Sequence, residues 1–519
     1  MLLPDNRVWV RQLLASAFAG RTRDEWLRLL EEGDCPAGPL CGRDEWLDHP
    51  QVGANGLRMT LHDPERGAVV MPSLPLALSK TPGRVAGPAP RLGQDDGVPE
   101  KWRSESRVPG PESRVQGRVR PLRPSEAASH QTGDSGPGTR DPGPLAGYRV
   151  LDLGTIVAGP YAGVLLAELG ADVIKVESPA GDAFRETGFV YNRGMRGLAM
   201  DLSSPEGRSA FHKLASSADT VVDNSRQGVA ERLGADYASL SRHKPDIVSL
   251  GIAGFGELGP LAHKPAFDPV LQAMSGMMGA QGGDSDPVLY TVPINDVGAA
   301  ATAALGVCLG LFHRARTGDG QRVSTSLVAM SLLMQSGELV RFAGRPPAQR
   351  GGRDFAGPSA AARFYATSDG WLLVRAPSDA ALRDALGLAG SCSDLAEAVG
   401  QKLASIPAEQ ALQLLTEAGV SAVPARQPAE VAGDPHVRGA KALCRLQFAD
   451  GRPYLAPLRY ARFSRTEVDV AFQPPGLGEH SRQVLAEAGI EPAHIEALIE
   501  QRVVFQGAPV HLQGLVSYR

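Results

Sequence analysis

From Tyr148 onward the chain alternates short apolar runs with longer amphipathic ones. YRVLDL (148–153), ADVIKVE (171–177), GLAMDL (197–202), TVVDN (220–224) and DIVSLGIAG (246–254) each read as a buried strand. Between them, PYAGVLLAELG (160–170) has Pro in its first turn and Gly at its end, the asymmetry of a helix. SPEGRSAFHKLASSA (204–218) adds a Ser cap before Pro205, and VAERLGADYASLSRH (229–243) carries a third helical period. Strands alternating with helices predict an α/β fold with a doubly wound, Rossmann-like, mostly parallel sheet. Ligands of such sheets bind beyond the carboxyl ends of the strands. That rule gathers GTIVAGP (154–160), VESPAGD (176–182), VDNSRQG (222–228) and GIAGFGELGP (251–260) on one functional edge.

The stretch PINDVGAAATAALG (293–306) places one carboxylate, Asp296, at the front of an apolar helix. Local chemistry favours a helix cap, because Asp is a good N-cap and an apolar helix needs one. Asn295 is able to cap in its place, which frees Asp296. The positive end of the helix is then expected to keep Asp296 ionised, and an ionised, positioned carboxylate is a competent nucleophile toward an acyl carbon. The small residues that follow permit either close backbone approach or a ligand above them.

An internal repeat sets the domain plan. DEWLRLLEEGDCPAGP (24–39) and EQALQLLTEAGVSAVP (409–424) align without gaps, Leu27 on Leu412, Leu30 on Leu415 and Pro39 on Pro424. The same register continues through Pro50/Pro435, Val52/Val437, Pro72/Pro457 and Gly93/Gly478. Residues 1–95 therefore read as a partial copy of the module at 409–480. Residues 96–144, rich in Pro, Gly, Ser and Arg and poor in large apolar side chains, read as a disordered linker. A large Rossmann-like domain is expected over 145–342, a smaller α+β domain over 343–437, and over 438–519 a segment returning to the large domain.

The bulk numbers exclude more than they assign. A net charge of −4 gives no reason to expect a nucleic-acid partner. Five scattered cysteines without a C-x-x-C pair favour neither a disulfide framework nor a zinc site, and no metal ligand set is assigned. Apolar neighbours make Cys308 an inert thiol. No apolar run is expected to span a bilayer, the longest being Val297 to Phe312, and no leader is evident at the N-terminus, so a cytoplasmic enzyme without membrane partners is the default expectation.

Several loops carry possible ligand chemistry, each with a plain alternative. GTIVAGP is not G-x-G-x-x-G, and its glycines serve a strand-to-helix turn equally well; still, a helix N-terminus there suits a phosphate. NRGMR (192–196) offers two arginines around a glycine, able to hold a diphosphate or to be solvated. DNSRQG (223–228) offers Asn, Ser and Arg to a ribose or adenine edge, or simply makes a turn.

Taken in order, VLDLGTIVAGP, LAELGADVIKVESPAGD, NRGMRGLAMDLSSPEGR, ADTVVDNSRQGVAERLG, AFDPVLQAMSG, PINDVGAAATAALG and HRARTGDGQRV resemble the class III CoA-transferases, the family of carnitine–CoA and formyl-CoA transferases. The resemblance runs from Pro144 to about Gly478, and residues 21–84 resemble the family's C-terminal portion. It implies a coenzyme A thioester as substrate rather than a permanently bound cofactor, with a free carboxylic acid as the second substrate. It implies that Asp296 attacks the acyl-CoA, giving a mixed anhydride and then an aspartyl-CoA thioester. By the same resemblance, coenzyme A contacts fall on Val157, Ala158, Asn192, Arg193, Gly194, Asn224, Ser225, Arg226, Arg232, Pro265, Phe267 and Asp268. The small residues after Asp296 then read as room for the thioester, and an interlocked homodimer is implied.

Departures keep alternatives open. The family's aromatic and proline of the N-[FY]-x-P-G loop are Ser225 and Gln227 here. The glycine-rich loop of the formyl-CoA branch has only RGGRDFAG (350–357) as its nearest stretch. An α-methylacyl-CoA racemase needs a His/Asp pair, and Phe267 stands where that branch has His; His263 is displaced. A catalytically impaired tandem subunit is the remaining alternative.

Overall fold

The computed structural model describes residues 4–94 and 143–507, apart from 183, 186–188, 389–393, 441, 448–451, 458–459, 462, 465 and 467–473. All but the last two residues of the linker assigned to 96–144 lie outside the described residues. The protein is a mixed α/β structure around an eight-stranded, mostly parallel sheet. Its strands lie in the spatial order Val504–Phe505, Arg196–Met200, Asp172–Glu177, Arg149–Asp152, Thr220–Asp223, Val248–Ala253, Arg322–Ser326 and Ala77–Leu78. The six inner strands run parallel, and each edge strand is antiparallel to its neighbour. Chain order reverses at the Arg149–Asp152 strand, whose two neighbours are reached by connections in opposite directions. A crevice therefore opens beyond Asp152 and Asp223.

The inner strands are apolar on both faces because helices cover both. One face carries the helix Ala158–Ala167 and the long helix Ile294–Thr317; the other carries Pro205–Ala215, Ser481–Glu487 and Pro492–Glu500. At the strand's carboxyl end Asp152 is fully buried beside a fully buried Lys175, Nζ to Oδ2 3.2 Å, and accepts a 2.8 Å bond from the Gly154 N–H. Lys175 also donates to the Gly154 carbonyl, so one ion pair clamps the turn that leaves the sheet.

Two predicted helices differ in extent. The first starts at Ala158, two residues before Pro160, because Gly154 and Gly159 touch: a Cβ on either would come within 2.6 Å of the other's Cα. The predicted 229–243 helix is two helices, Val229–Leu233 and Tyr237–His243. Gly234 breaks it at φ 68°, and Asp236 restarts it by accepting from the Ser239 N–H.

The helix Ile294–Thr317 is longer than the apolar run read from the sequence. Its 24 residues are long and apolar enough to cross a membrane by length and composition. Here it is the central core helix. Ala299, Ala300, Ala303, Gly306, Val307 and Gly310 are buried against the sheet and the Ala158–Ala167 helix. At Gly306 a Cβ would meet Val323 at 2.8 Å and at Gly310 Val248 at 2.7 Å, so these two glycines serve close packing on the sheet.

Residues 362–424 hold a separate three-stranded antiparallel sheet, Ala362–Ala366, Trp371–Arg375 and Ser421–Pro424. Helices Leu395–Ala404 and Ala408–Glu417 bury Val399, Leu403, Ala411 and Leu415 against it.

The N-terminal segment does not stand apart from the large sheet. Its strand Ala77–Leu78 closes the sheet edge, and Trp46 and Leu47, both 0% exposed, enter the main core. The Trp46 indole N–H donates to Ser331 Oγ at 3.0 Å. Truncating so large a buried side chain costs about 3–5 kcal/mol. Trp46→Ala is therefore expected to lower the denaturation midpoint of the whole protein in a single transition, measured by urea unfolding. Loss of an early, separate transition alone would show the segment to be an independent appendage.

Candidate functional site

The crevice at the strand-order reversal is a cavity of about 730 Å3, the size that encloses a nucleotide-like ligand. Thr155, Ile156, Val157 and Ala158 form one wall, residues 223–227 a second, and residues 251–254 and 256–258 with Lys264 to Phe267 a third. Asp296 closes one end. Asn224 ties the first two walls together: its Oδ1 accepts from the Thr155 N–H at 2.8 Å and its Nδ2 donates to the Thr155 carbonyl at 2.9 Å. Ile156 sits in the left-handed region at φ 67°, a rare place for a β-branched residue, and its N–H is held by Asp182 Oδ2 at 2.8 Å. Val157 precedes the Ala158–Ala167 helix without a side-chain cap, leaving first-turn amides open toward the cavity.

Asp296 lies in the first turn of its helix but caps nothing, and neither does Asn295. The cap comes from another element. Asp268, 2% exposed, accepts from the Asn295 N–H at 2.6 Å and from the Gln272 amide. The Asp296 carboxylate is thereby left facing the cavity. Burial, and the nearby charge of Asp268, push its pKa up to about 7. The expectation that the helix end alone keeps it ionised is not met, because the amides at that end are occupied by Asp268. Burial also raises Asp268, opposed by its hydrogen bonds from Gln272 and the helix amides. The Asp296 charge is also felt by Tyr191, whose phenol is raised by burial and by that charge.

Of the residues singled out from the sequence, Val157, Ala158, Asn224, Ser225, Arg226, Arg232, Pro265, Phe267 and Asp296 line this one cavity. Asn192, Arg193, Gly194 and Asp268 do not. Arg193, 3% exposed, is held by Glu168 (Nε to Oε1 2.9 Å) and by Tyr460 Oη at 3.1 Å, so its fork is not free for a phosphate. Gly194 supplies a turn at φ 76°, and Asn192 is buried beside it. Asp268 acts from beneath as the cap. His263 is exposed and off the cavity wall, and Phe267 occupies the lining position between Ala266 and Asp268. The RGGRDFAG stretch packs on the Met277–Gly282 helix, with Gly351 N donating to the Ala280 carbonyl at 2.6 Å, away from the cavity.

The 223–228 loop is built by turn chemistry as well as by ligand-facing groups. Ser225 donates to Asp223 from both its N–H and Oγ, each at 3.1 Å. Three lining cations are already paired: Arg226 with Asp34 at 2.9 Å, Lys264 with Glu31 at 2.8 Å, and Arg322 with Glu257. Among the described residues the Arg232 side chain has no ion-pair partner. Sequence reasoning missed Lys264, which falls between quoted motifs, and Arg322, which lies within HRARTGDGQRV. It also missed Glu31 and Asp34, whose place at the cavity mouth has no local signal because it depends on how the N-terminal segment docks. Cys308 is half-buried and its thiol raised by burial, as an inert core thiol should be.

Comparison with known proteins places this arrangement. The family model described as CoA-transferase family III matches residues 4–96 and 145–481. A succinate–glutarate CoA-transferase of Agrobacterium fabrum is 31% identical over 384 residues, covering 66% of this chain and 95% of that protein. The beta subunit of a succinyl-CoA–L-malate CoA-transferase of Chloroflexus aurantiacus is 31% identical over 407 residues, 71% of this chain and 100% of its own length. The crystal structure of a CAIB/BAIF family protein from Brucella suis superposes with a TM-score of 0.60 at 28% identity, covering 67% of this chain and all of that one. Matched on both sides of the linker by one family model, the chain belongs to CoA-transferase family III and is a CoA-transferase.

Proposed function

We propose that the protein moves coenzyme A from an acyl-CoA thioester to a free carboxylic acid through covalent adducts on Asp296. The observation that carries this reading is the freed carboxylate: Asp296 ends the cavity while Asp268 holds the helix amides. In the first step an Asp296 oxygen attacks the thioester carbonyl carbon. The C–S bond breaks, coenzyme A leaves as thiolate, and a mixed anhydride remains. The thiolate then attacks the Asp296 carbonyl carbon of the anhydride, releasing the donor acid and leaving an aspartyl-CoA thioester. The acceptor carboxylate attacks that thioester, and the expelled thiolate takes the acceptor's acyl carbon, which restores Asp296. The nucleotide end of coenzyme A is placed at the Val157–Ala158 amides, Asn224, Arg226 and Arg232. The Arg226–Asp34 pair is solvent-exposed and worth about 0–1 kcal/mol, so a phosphate displaces Asp34 at small cost; the Lys264–Glu31 pair is partly exposed.

Succinyl-CoA is the donor we assign, on the support of relatives named for succinate and succinyl-CoA. Racemisation by a His/Asp pair has no support in this cavity, since Phe267 carries no acid–base group. An interlocked homodimer belongs to the same proposal, and the exposed stripe Leu305, Leu309 and Phe312 on the core helix offers it a face. Sedimentation as a single chain at micromolar concentration would remove it.

Three outcomes test the reading. Asp296→Asn is expected to lower transfer from succinyl-CoA by at least ~10³-fold and to abolish the hydroxamate formed when hydroxylamine is added to enzyme and donor. Surviving transfer would reassign the nucleophile.

The same carboxyl group sets the pH dependence. Ionised Asp296 is the reactive form, so kcat/KM for the donor rises with pH and is half-maximal at about 7. For stability the sign is opposite. The folded pKa lies above the ordinary 3.8, so the stabilising protonated form is fully present below that value and lost as pH rises through about 7. Asp296→Asn is therefore expected to raise Tm at pH 8 by about 2–4 °C and to leave it unchanged at pH 4 in scanning calorimetry.

Arg232→Gln removes a charge-assisted phosphate contact. It is expected to raise KM for the acyl-CoA about tenfold with kcat within about twofold in steady-state assays.

A further inference from the structure

The loop Phe255–Leu261, which contributes Gly256, Glu257 and Leu258 to the cavity wall, is held by two amide side chains of the N-terminal segment. Gln51 Nε2 donates to the carbonyls of Phe255 and Leu258, both at 2.6 Å, and its Oε1 accepts from the Leu261 N–H at 2.7 Å. Asn55 Nδ2 donates to the Leu258 carbonyl at 2.8 Å, and its Oδ1 accepts from the N–H groups of Glu257 and Leu258 at 3.0 and 3.2 Å. Gly256 and Gly259, both at positive φ, allow the loop to press onto these amides: a Cβ on Gly256 would lie 2.3 Å from Asn55 Oδ1.

The repeated sequences explain why this segment, and not its C-terminal counterpart, does the work. Elements fall in register across the two. Arg23–Glu32 aligns with Ala408–Glu417, and Pro50–Ala54 with Pro435–Gly439. The hairpin pair Arg58↔Pro72 aligns with Leu443↔Pro457. Their packing is complementary. In the C-terminal stretch the first helix buries Ala411 and Leu415 in the small sheet's core, while Pro428–Gly433 and Pro435–Gly439 bury nothing. In the N-terminal stretch the first helix buries nothing, while Trp46, Leu47, Gln51 and Val52 are buried. In register with Trp46, Gln51 and Asn55 stand Val431, His436 and Ala440, and Val431 is 41% exposed. Alanine at 440 has no amide side chain, and a neutral imidazole at 436 has one donor and one acceptor where Gln51 donates twice and accepts once.

We propose that the N-terminal segment is a built-in part of the coenzyme A site, in which Gln51 and Asn55 position the Phe255–Leu261 wall and the diverged C-terminal copy cannot replace them. The two partial copies share one set of duties, the first serving the large sheet and the second the small one. This rests on the cavity being the coenzyme A site, but its test separates the two readings.

The full chain carrying Gln51→His and Asn55→Ala takes the C-terminal copy's residues at both positions. Hydrogen exchange at the amides of Glu257, Leu258 and Leu261 is expected to quicken at least about tenfold. KM for succinyl-CoA is expected to rise about tenfold with kcat within about twofold, since Asp296 is held by a different element. Asn55→Asp, which keeps the acceptor toward two amides, should fall between, and Asn55→Ala alone serves if the double variant does not fold. Unchanged exchange, or faster exchange with unchanged KM, overturns the proposal. Exchange needs no turnover, so a wild-type protein that fails to use any CoA thioester would refute the function while the loop-holding role is still decided.

Discussion

The first amides of the core helix are closed from outside by Asp268, and much of the site depends on that bond. A helix beginning PIND ordinarily spends its own aspartate on its own N-terminus. Here the preceding element lends a carboxylate, itself steadied by Gln272, and Asp296 is released to stand at the end of the cavity. Two buried acids so close together do not ionise independently, and Asp296 is left with a carboxyl group that titrates near neutrality. A carboxylate of that basicity is a better nucleophile than an ordinary aspartate, while still ionised over much of the physiological range.

The opposite end of the cavity is set by the strand-order reversal. Asp152 and Lys175 anchor the turn at Gly154, the contact of Gly154 with Gly159 starts the helix early, and Asn224 bridges the turn to the next strand's loop. These contacts bring open helix amides and the Arg226–Arg232 stretch together without any glycine-rich fingerprint. In the proposed binding mode the phosphate contacts are spread over backbone and separate cations, which is why no single motif announces them.

What the sequence made legible follows from periodicity. Five of the six inner strands appear within a residue or two of their expected limits, because buried parallel strands leave continuous apolar runs; Arg322–Ser326, mostly polar, was not read as a strand. The caps at Ser204 and Asp236 and the break at Gly234 are local chemistry, although only the first was read beforehand. Arg193 and Asp268 were illegible for a different reason. An arginine in a Gly-flanked loop looks the same whether it awaits a phosphate or meets Glu168, and an aspartate opening a helix looks the same whether it serves that helix or the next one. Glu31, Asp34, Gln51 and Asn55 depend on contacts between segments some two hundred residues apart, for which no local pattern exists.

The docking of the N-terminal segment also constrains how the chain reaches its native state. Ala77–Leu78 pairs with Ser324 and Val323, and Gln51 bonds residues 255 to 261, all made long after it during synthesis. This segment therefore has no place to pack until most of the large sheet exists. Trp46, Leu47 and Val52 must remain uncovered through that interval, and closing so long a loop is a slow, entropically costly step. The covalent link that keeps Gln51 and Asn55 beside residues 255 to 261 also makes their docking a late event in folding.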